Sequence, residues 1–153
     1  MSNQMILWGT LLIPWLSLIF VPRNDIKRFM ATGLFTLVLS TIACEAGVAN
    51  GWWHFRETTY PLALLPTYNY GLYPIVPIWI LKYTYGRFWR YFAAEVIANI
   101  AFIYIFLGWM ETRGVIDIPG KLIAFVLTMV IALLLYGYQM WQEGILQPAA
   151  SNR

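Results

Sequence analysis

"LLPTYNYGLYPIVPIWILKYTYGRF", residues 64–88, decides the fold. The run is apolar enough to lie in a membrane, yet it contains Pro66, Pro74 and Pro77, Asn69, and tyrosines at 68, 70, 73, 83 and 85. Proline removes a backbone donor and disturbs the preceding turn of a helix. In lipid, irregular backbone survives only where it is buried in protein or lines water. The stretch therefore predicts a broken helix over 62–85. Pro61, Pro66, Pro74 and Pro77, with Gly71 between them, bend or partly unwind its outer half, whose polar side faces a neighbouring helix. Tyr83 and Tyr85 read as anchors at the inner boundary.

The flanking sequence supports a membrane setting. Hydrophobic residues make up 60% of the chain and charged residues 11%, against roughly 25% charged in soluble domains. So few charges cannot cover a water-facing surface. Eight Trp and ten Tyr suit the boundary where an apolar ring and a polar tip each find their solvent. The 153 residues allow several spans of about 20 residues and no appreciable soluble domain beside them. We expect an all-α, polytopic transmembrane helix bundle, residues 1–153 forming a single integral membrane domain, with five spans at about 5–21, 29–49, 62–85, 92–110 and 122–141. The first run lacks the positive start and small-residue end of a signal peptide and reads as a retained span, with Pro14 kinking it. Thr36, Ser40, Ala43 and Gly47 share one face of the second run, which is expected to be central in the bundle. Ala94, Ala98 and Ala101 give the fourth run a similar face.

Charge and motif content exclude several functions. Ten Lys and Arg against seven acids give a net charge of +3, spread over loops that face lipid headgroups. Without a basic patch, nucleic acid is not an expected partner. A single cysteine, Cys44, excludes an internal disulfide. A single histidine, His54, excludes a multi-histidine metal site. Phosphate loops, dinucleotide fingerprints, nucleophile elbows and metalloprotease motifs are all missing. No catalytic residue, metal or cofactor is assigned, and the reading leans away from an enzyme.

Loop charges set the orientation. One side holds Arg23, Lys27, Arg28, Lys82, Arg87, Arg90 and Arg153; the other holds Arg56, Arg113 and Lys121. The excess of positive residues on the cytoplasmic side then places the N-terminus outside and the C-terminus in the cytoplasm.

Two carboxylates lie within apolar runs, Glu45 and Glu95. Each costs roughly 2.5–3.5 kcal/mol on insertion scales unless it has a partner or a wet cavity. At a helical rise their heights differ by roughly 18 Å, so they are not an acid–base pair. Glu45 is expected near the outer end of its span, close to Asn50, His54, Arg56, Tyr68, Asn69 and Tyr70. It serves there as an ion-pair lock with Arg56, as part of a ligand site with His54, Tyr68, Asn69 and Tyr70, or as a snorkelling acid. Glu95 is expected to pair with Lys82, Arg87 or Arg90. Alternatively, Glu95 and Asn99, four residues apart on one face, begin a polar track from the cytoplasm. Trp52, Trp53, Tyr68, Tyr70 and Tyr73 are read as belt residues ahead of an aromatic ligand pocket.

The segment "LLPTYNYGLYP" (64–74), the Lys82-Tyr83 pair, and "FLGWMETRGVID" (106–117) followed by a last apolar helix carry a resemblance. Over about its last two-thirds the chain resembles an uncharacterised family of small multi-pass membrane proteins from endospore-forming Gram-positive bacteria. Leu65-Pro66 and Tyr73-Pro74 are the matching pairs. In that family an acidic residue commonly follows the Leu-Pro pair; Thr67, Tyr68 and Asn69 stand there in this chain. The resemblance implies a bacterial cytoplasmic membrane and no particular activity.

The expected function is therefore that of a small integral membrane protein acting as a binding or accessory subunit. It would hold a partner protein or small amphipathic ligand through Glu45, His54, Tyr68, Asn69 and Tyr70. Its expected partners are membrane lipids and either further copies of itself or a larger membrane complex. An alternative is a transporter or channel component with a staggered Glu45, Asn99, Glu95 route. A third is an enzyme acting on lipid in the outer leaflet through Glu45 or His54.

Overall fold

A computed structural model describes residues 2–146, the side chains of 145 and 146 excepted; Arg153 of the orientation argument lies outside that range. Four helices are long and apolar enough to cross a membrane: Asn3–Phe20, Arg23–Ala49, Phe88–Thr112 and Lys121–Gly144. The first comprises α1 (Asn3–Ser17) and a short 3-10 turn, the second is α2 (Arg23–Ala49), and the last lies within α6 (Lys121–Leu146). Phe88–Thr112 is continuous but not uniform. It runs as α4 (Phe88–Ile100), a π-helical segment Ala101–Leu107, and α5 (Gly108–Thr112). A fifth helix, α3 (Thr67–Thr84), has 18 residues, about 27 Å at the α-helical rise. Its tyrosines, prolines and Asn69 keep it out of the strongly apolar set.

α3 is the centre of the bundle, packing on α1, α2 and α4. This corrects the expectation that the second run is central. Thr36, Ser40 and Gly47 of α2 are indeed buried and Ala43 is half-buried, but Gly47 packs on the Trp53 ring and α2 meets fewer helices than α3 does. Surrounded by other helices, α3 can carry polar residues that lipid would reject.

The predicted break in α3 is also corrected. The irregular chain ends at Pro66, which caps the helix, and Thr67–Thr84 is helical through Pro74 and Pro77. The reason lies in α1. Pro74 has no N–H to give to the carbonyl of Tyr70, and the indole of Trp15 donates to that carbonyl instead, at 3.0 Å. Pro14, inside α1, likewise leaves the Thr10 carbonyl without its helical donor. Gly71 packs against that carbonyl so closely that a Cβ at 71 would lie 2.0 Å from it. Thr67 donates to the Leu7 carbonyl, and Trp79 donates to the Ser17 hydroxyl at 3.0 Å. The Pro74 site is thus mended by the neighbouring helix, as lipid requires, while at the Pro14 site Gly71 lets α3 close over the freed carbonyl. Gly33 of α2 lies against the Pro74 carbonyl.

The loops join into structure at both ends. At one end β1 (His54–Phe55) pairs antiparallel with β2 (Ile116–Asp117), His54 opposite Asp117. The Glu57 carboxylate accepts from Asn3 at 2.7 Å and from Gln4 at 2.9 Å, tying α1 to this cap. Trp53, Val115, Ile116 and Ile118 are buried beneath it. At the other end Arg28 bonds Glu143 of α6 and lies over the Tyr85 ring, 4.8 Å from its centroid. Gln139, fully buried, accepts from Thr32 and donates to the Arg28 carbonyl at 3.3 Å.

Candidate functional site: a cavity around Glu95

A half-enclosed cavity of about 360 Å³ lies between α2, α3, α4 with its π segment, and α6. The space arises where side chains are small: Ala98, Ala101 and Ala132 face it. Its aromatic wall is built by Phe102 and Phe106, stacked with ring centres 5.4 Å apart. Tyr68 holds that wall from behind, edge-on to Phe102 at 5.7 Å and to Phe106 at 6.1 Å. Both phenylalanines belong to the π segment, a local widening that is frequent at functional sites.

Glu95 is the ionisable residue of this cavity apart from the phenol of Tyr73. It is 7% exposed. One carboxylate oxygen, Oε2, accepts from the Asn99 amide at 3.2 Å, and the same amide donates to the Glu95 carbonyl at 2.9 Å. The other, Oε1, is buried without a hydrogen-bond partner. Tyr91, one turn earlier, donates its hydroxyl proton to the Ala132 carbonyl at 2.8 Å, and the same hydroxyl lies beside the Glu95 carboxylate. Among the described residues no ion pair involves Glu95: the pairs are Arg28–Glu143, Arg56–Asp117 and Lys121–Glu111. The expected pairing with Lys82, Arg87 or Arg90 is therefore corrected. Glu95 faces the bundle interior, whereas Arg87 and Arg90 are exposed and Lys82 lies over the rings of Trp79 and Tyr83.

A smaller void of about 40 Å³ lies under the cap, lined in part by Ser40, Cys44, Trp53 and Tyr68. It shares Tyr73, Thr128 and Ile131 with the larger cavity.

The five residues proposed as an outward ligand cluster are not brought together in one pocket. Glu45 is exposed on α2 and lines neither void. Arg56, its expected lock partner, pairs with Asp117 at 3.1 Å. His54 is exposed in β1. Tyr68 is a core residue, and Tyr70 is half-buried, its carbonyl taken by Trp15. Asn69 is fully buried; its amide donates to Thr41 at 3.1 Å, and its oxygen accepts from Cys44 at 3.5 Å. One helical face carries Asn69 to α2 while its neighbours turn elsewhere. Nearness in sequence gave no shared direction. Trp53 and Tyr68 likewise pack inside rather than in a belt, whereas Trp89, Trp141 and Tyr83 are exposed.

Glu95 and Asn99 do stand together, as i and i+4 spacing requires. Their surroundings escaped the sequence reading. Ala98 and Ala101 beside an intramembrane acid were a usable signal of space, while nothing in "AFIYIFL" marks a π segment. The cavity sets a carboxyl against an otherwise apolar wall, an arrangement that can bind a ligand. Among the described residues no group of His, Cys, Asp and Glu is placed to hold a metal ion. Comparison with known protein families, characterised proteins and solved structures finds no match.

Proposed function

We propose that this chain is a small five-span protein of a bacterial cytoplasmic membrane that binds an amphipathic small molecule in the cavity around Glu95. The N-terminus and the β1–β2 cap are on the outside, and the C-terminus is in the cytoplasm. One observation carries the reading: Glu95, a carboxylate with no cationic partner among the described residues and one oxygen left without a hydrogen bond, lines an apolar cavity large enough for a ligand. Ligand sites are typically apolar hollows of about 300–1,000 Å³ with a few placed polar groups. An uncompensated acid at such depth is expensive and is by default a functional group. The orientation rests on the charge count, since Arg23, Lys27, Arg28, Lys82, Arg87 and Arg90 gather at the end opposite the cap. The bacterial setting rests on the resemblance of 64–74 and 106–117 to small bacterial membrane proteins.

The test is a mass-spectrometric census of what co-purifies in mild detergent, on wild type and on Ala98→Trp, which fills the cavity. A stoichiometric small molecule present in wild type and lost in the variant supports the reading. A stoichiometric second protein with no small molecule overturns it in favour of an accessory subunit.

Transport is the second reading, favoured by the walls that the two voids share at Tyr73, Thr128 and Ile131. Flux through proteoliposomes that is abolished by Glu95→Gln would establish it, and absence of any flux would exclude it.

A further inference from the structure

The donors and acceptors around the cavity define the ligand further. Asn99 commits its amide nitrogen to Glu95 twice, to the Oε2 atom and to the backbone carbonyl. An amide nitrogen has two protons, so Asn99 offers the cavity its oxygen. Thr36 donates its hydroxyl proton to the Thr32 carbonyl at 2.9 Å, and Thr128 donates to the Phe125 carbonyl at 2.9 Å. A hydroxyl carries one proton, so both threonines are left as acceptors. Glu95 Oε1 is an acceptor without a donor. Tyr73 supplies the other side-chain hydroxyl of the lining, able to act either way. No Lys, Arg or His lines the space. The polar groups of the cavity therefore call for donors and for positive charge, while its walls call for an apolar body.

On the reading that this cavity binds an amphipathic molecule, we infer that the ligand is a lipophilic amine, held as an ammonium. Its nitrogen meets the Glu95 carboxylate, and its carbon skeleton lies along the Phe102–Phe106 wall. An ammonium has only donors and brings the counter-charge that the protein withholds from Glu95. A charge-assisted hydrogen bond is about twice as strong as a neutral one, and an aromatic face within about 6 Å attracts a cation further. A single carboxylate selects a monocation. Fatty acids, phosphate-bearing lipids and acceptor-only molecules such as ketones meet acceptors and no cationic donor. The volume, about 360 Å³, lies at the lower end for ligand sites and suits a small amine rather than a whole membrane lipid.

The experiment compares octylamine, octanol and octanoate, three probes with the same tail, by equilibrium dialysis against the protein in phosphatidylcholine nanodiscs, with empty nanodiscs correcting for partition. The expected result is saturable octylamine binding, at least about thirtyfold tighter than octanol, the loss that follows when a buried charge partner is removed. Ala98→Trp should abolish it, and Glu95→Gln should bring octylamine down to the octanol level. The wild-type comparison decides by itself if the variants do not fold. Octanol or octanoate binding as tightly as octylamine would overturn the amine assignment and leave the cavity as a general amphipathic site. No saturable binding of any of the three would overturn both.

Discussion

Gly71 of α3 lies against the Thr10 carbonyl of α1, the carbonyl that Pro14 leaves without a helical donor, and a Cβ at 71 would come within 2.0 Å of it. The contact joins a proline defect in one helix to a missing side chain in the other. Gly71→Ala must push α1 off α3. We expect a loss of about 1–3 kcal/mol, the usual range for overpacking a well-filled site. Gly137→Ala in α6, where an added Cβ meets nothing within 4 Å, should be neutral. Thermal unfolding of the two variants in one detergent checks the contrast, and equal losses would contradict it.

Trp15 and Pro74 form a second such pair. Trp15→Phe removes the donor to the Tyr70 carbonyl and should cost about 1–3 kcal/mol, the penalty for stranding a polar group away from water. In a Pro74→Ala background the backbone regains its own donor to that carbonyl. The Trp15→Phe loss should then shrink toward zero. A double-mutant cycle measures the coupling, and strict additivity would show that the indole does not mend the proline site.

The cap makes a prediction about charge. Arg56 pairs with Asp117 at 3.1 Å, while Glu45 takes no part in any ion pair among the described residues. Asp117→Asn should lower stability by less than about 1 kcal/mol, as for partly exposed pairs. Glu45→Gln should leave thermal stability unchanged. A marked fall in Glu45→Gln would restore the lock that the geometry denies.

Asn69 is buried at 0% exposure between Thr41 and Cys44. Asn69→Leu leaves the Thr41 hydroxyl without the amide that donates to it and should cost about 1–3 kcal/mol. Asn69→Asp should cost more, because it places an acceptor-only acid against the Thr41 oxygen. Denaturation midpoints that rank Asp above Leu would contradict this placement.

How far the sequence reaches depends on whether a feature is local. Helix positions follow from hydrophobic runs, and the spans at 29–49, 92–110 and 122–141 fall within α2, Phe88–Thr112 and α6. Glu95 and Asn99 are four residues apart on one helix, so their contact was readable from spacing. The failures concern partners distant in sequence. Pro74 predicts a break in α3 unless one knows that Trp15, 55 residues before Tyr70 in the chain, will donate to the Tyr70 carbonyl. Arg56 points to Glu45 until β1 and β2 pair and put Asp117 beside it. The choice of α3 as the central helix rests on three sides of packing, which its own weaker hydropathy disguises. The cavity is the most collective feature, requiring small residues on α4 and α6 and a π segment to coincide.

A structure of the protein in lipid nanodiscs, prepared with octylamine, is the most direct measurement. The expected result is density for one small molecule between Thr36, Asn99 and the Phe102–Phe106 pair, with a polar atom within hydrogen-bond reach of the Glu95 carboxylate. Phe102 and Phe106 closed over an empty site, with Glu95 turned out to the headgroups, would contradict the assignment of this cavity as the binding site.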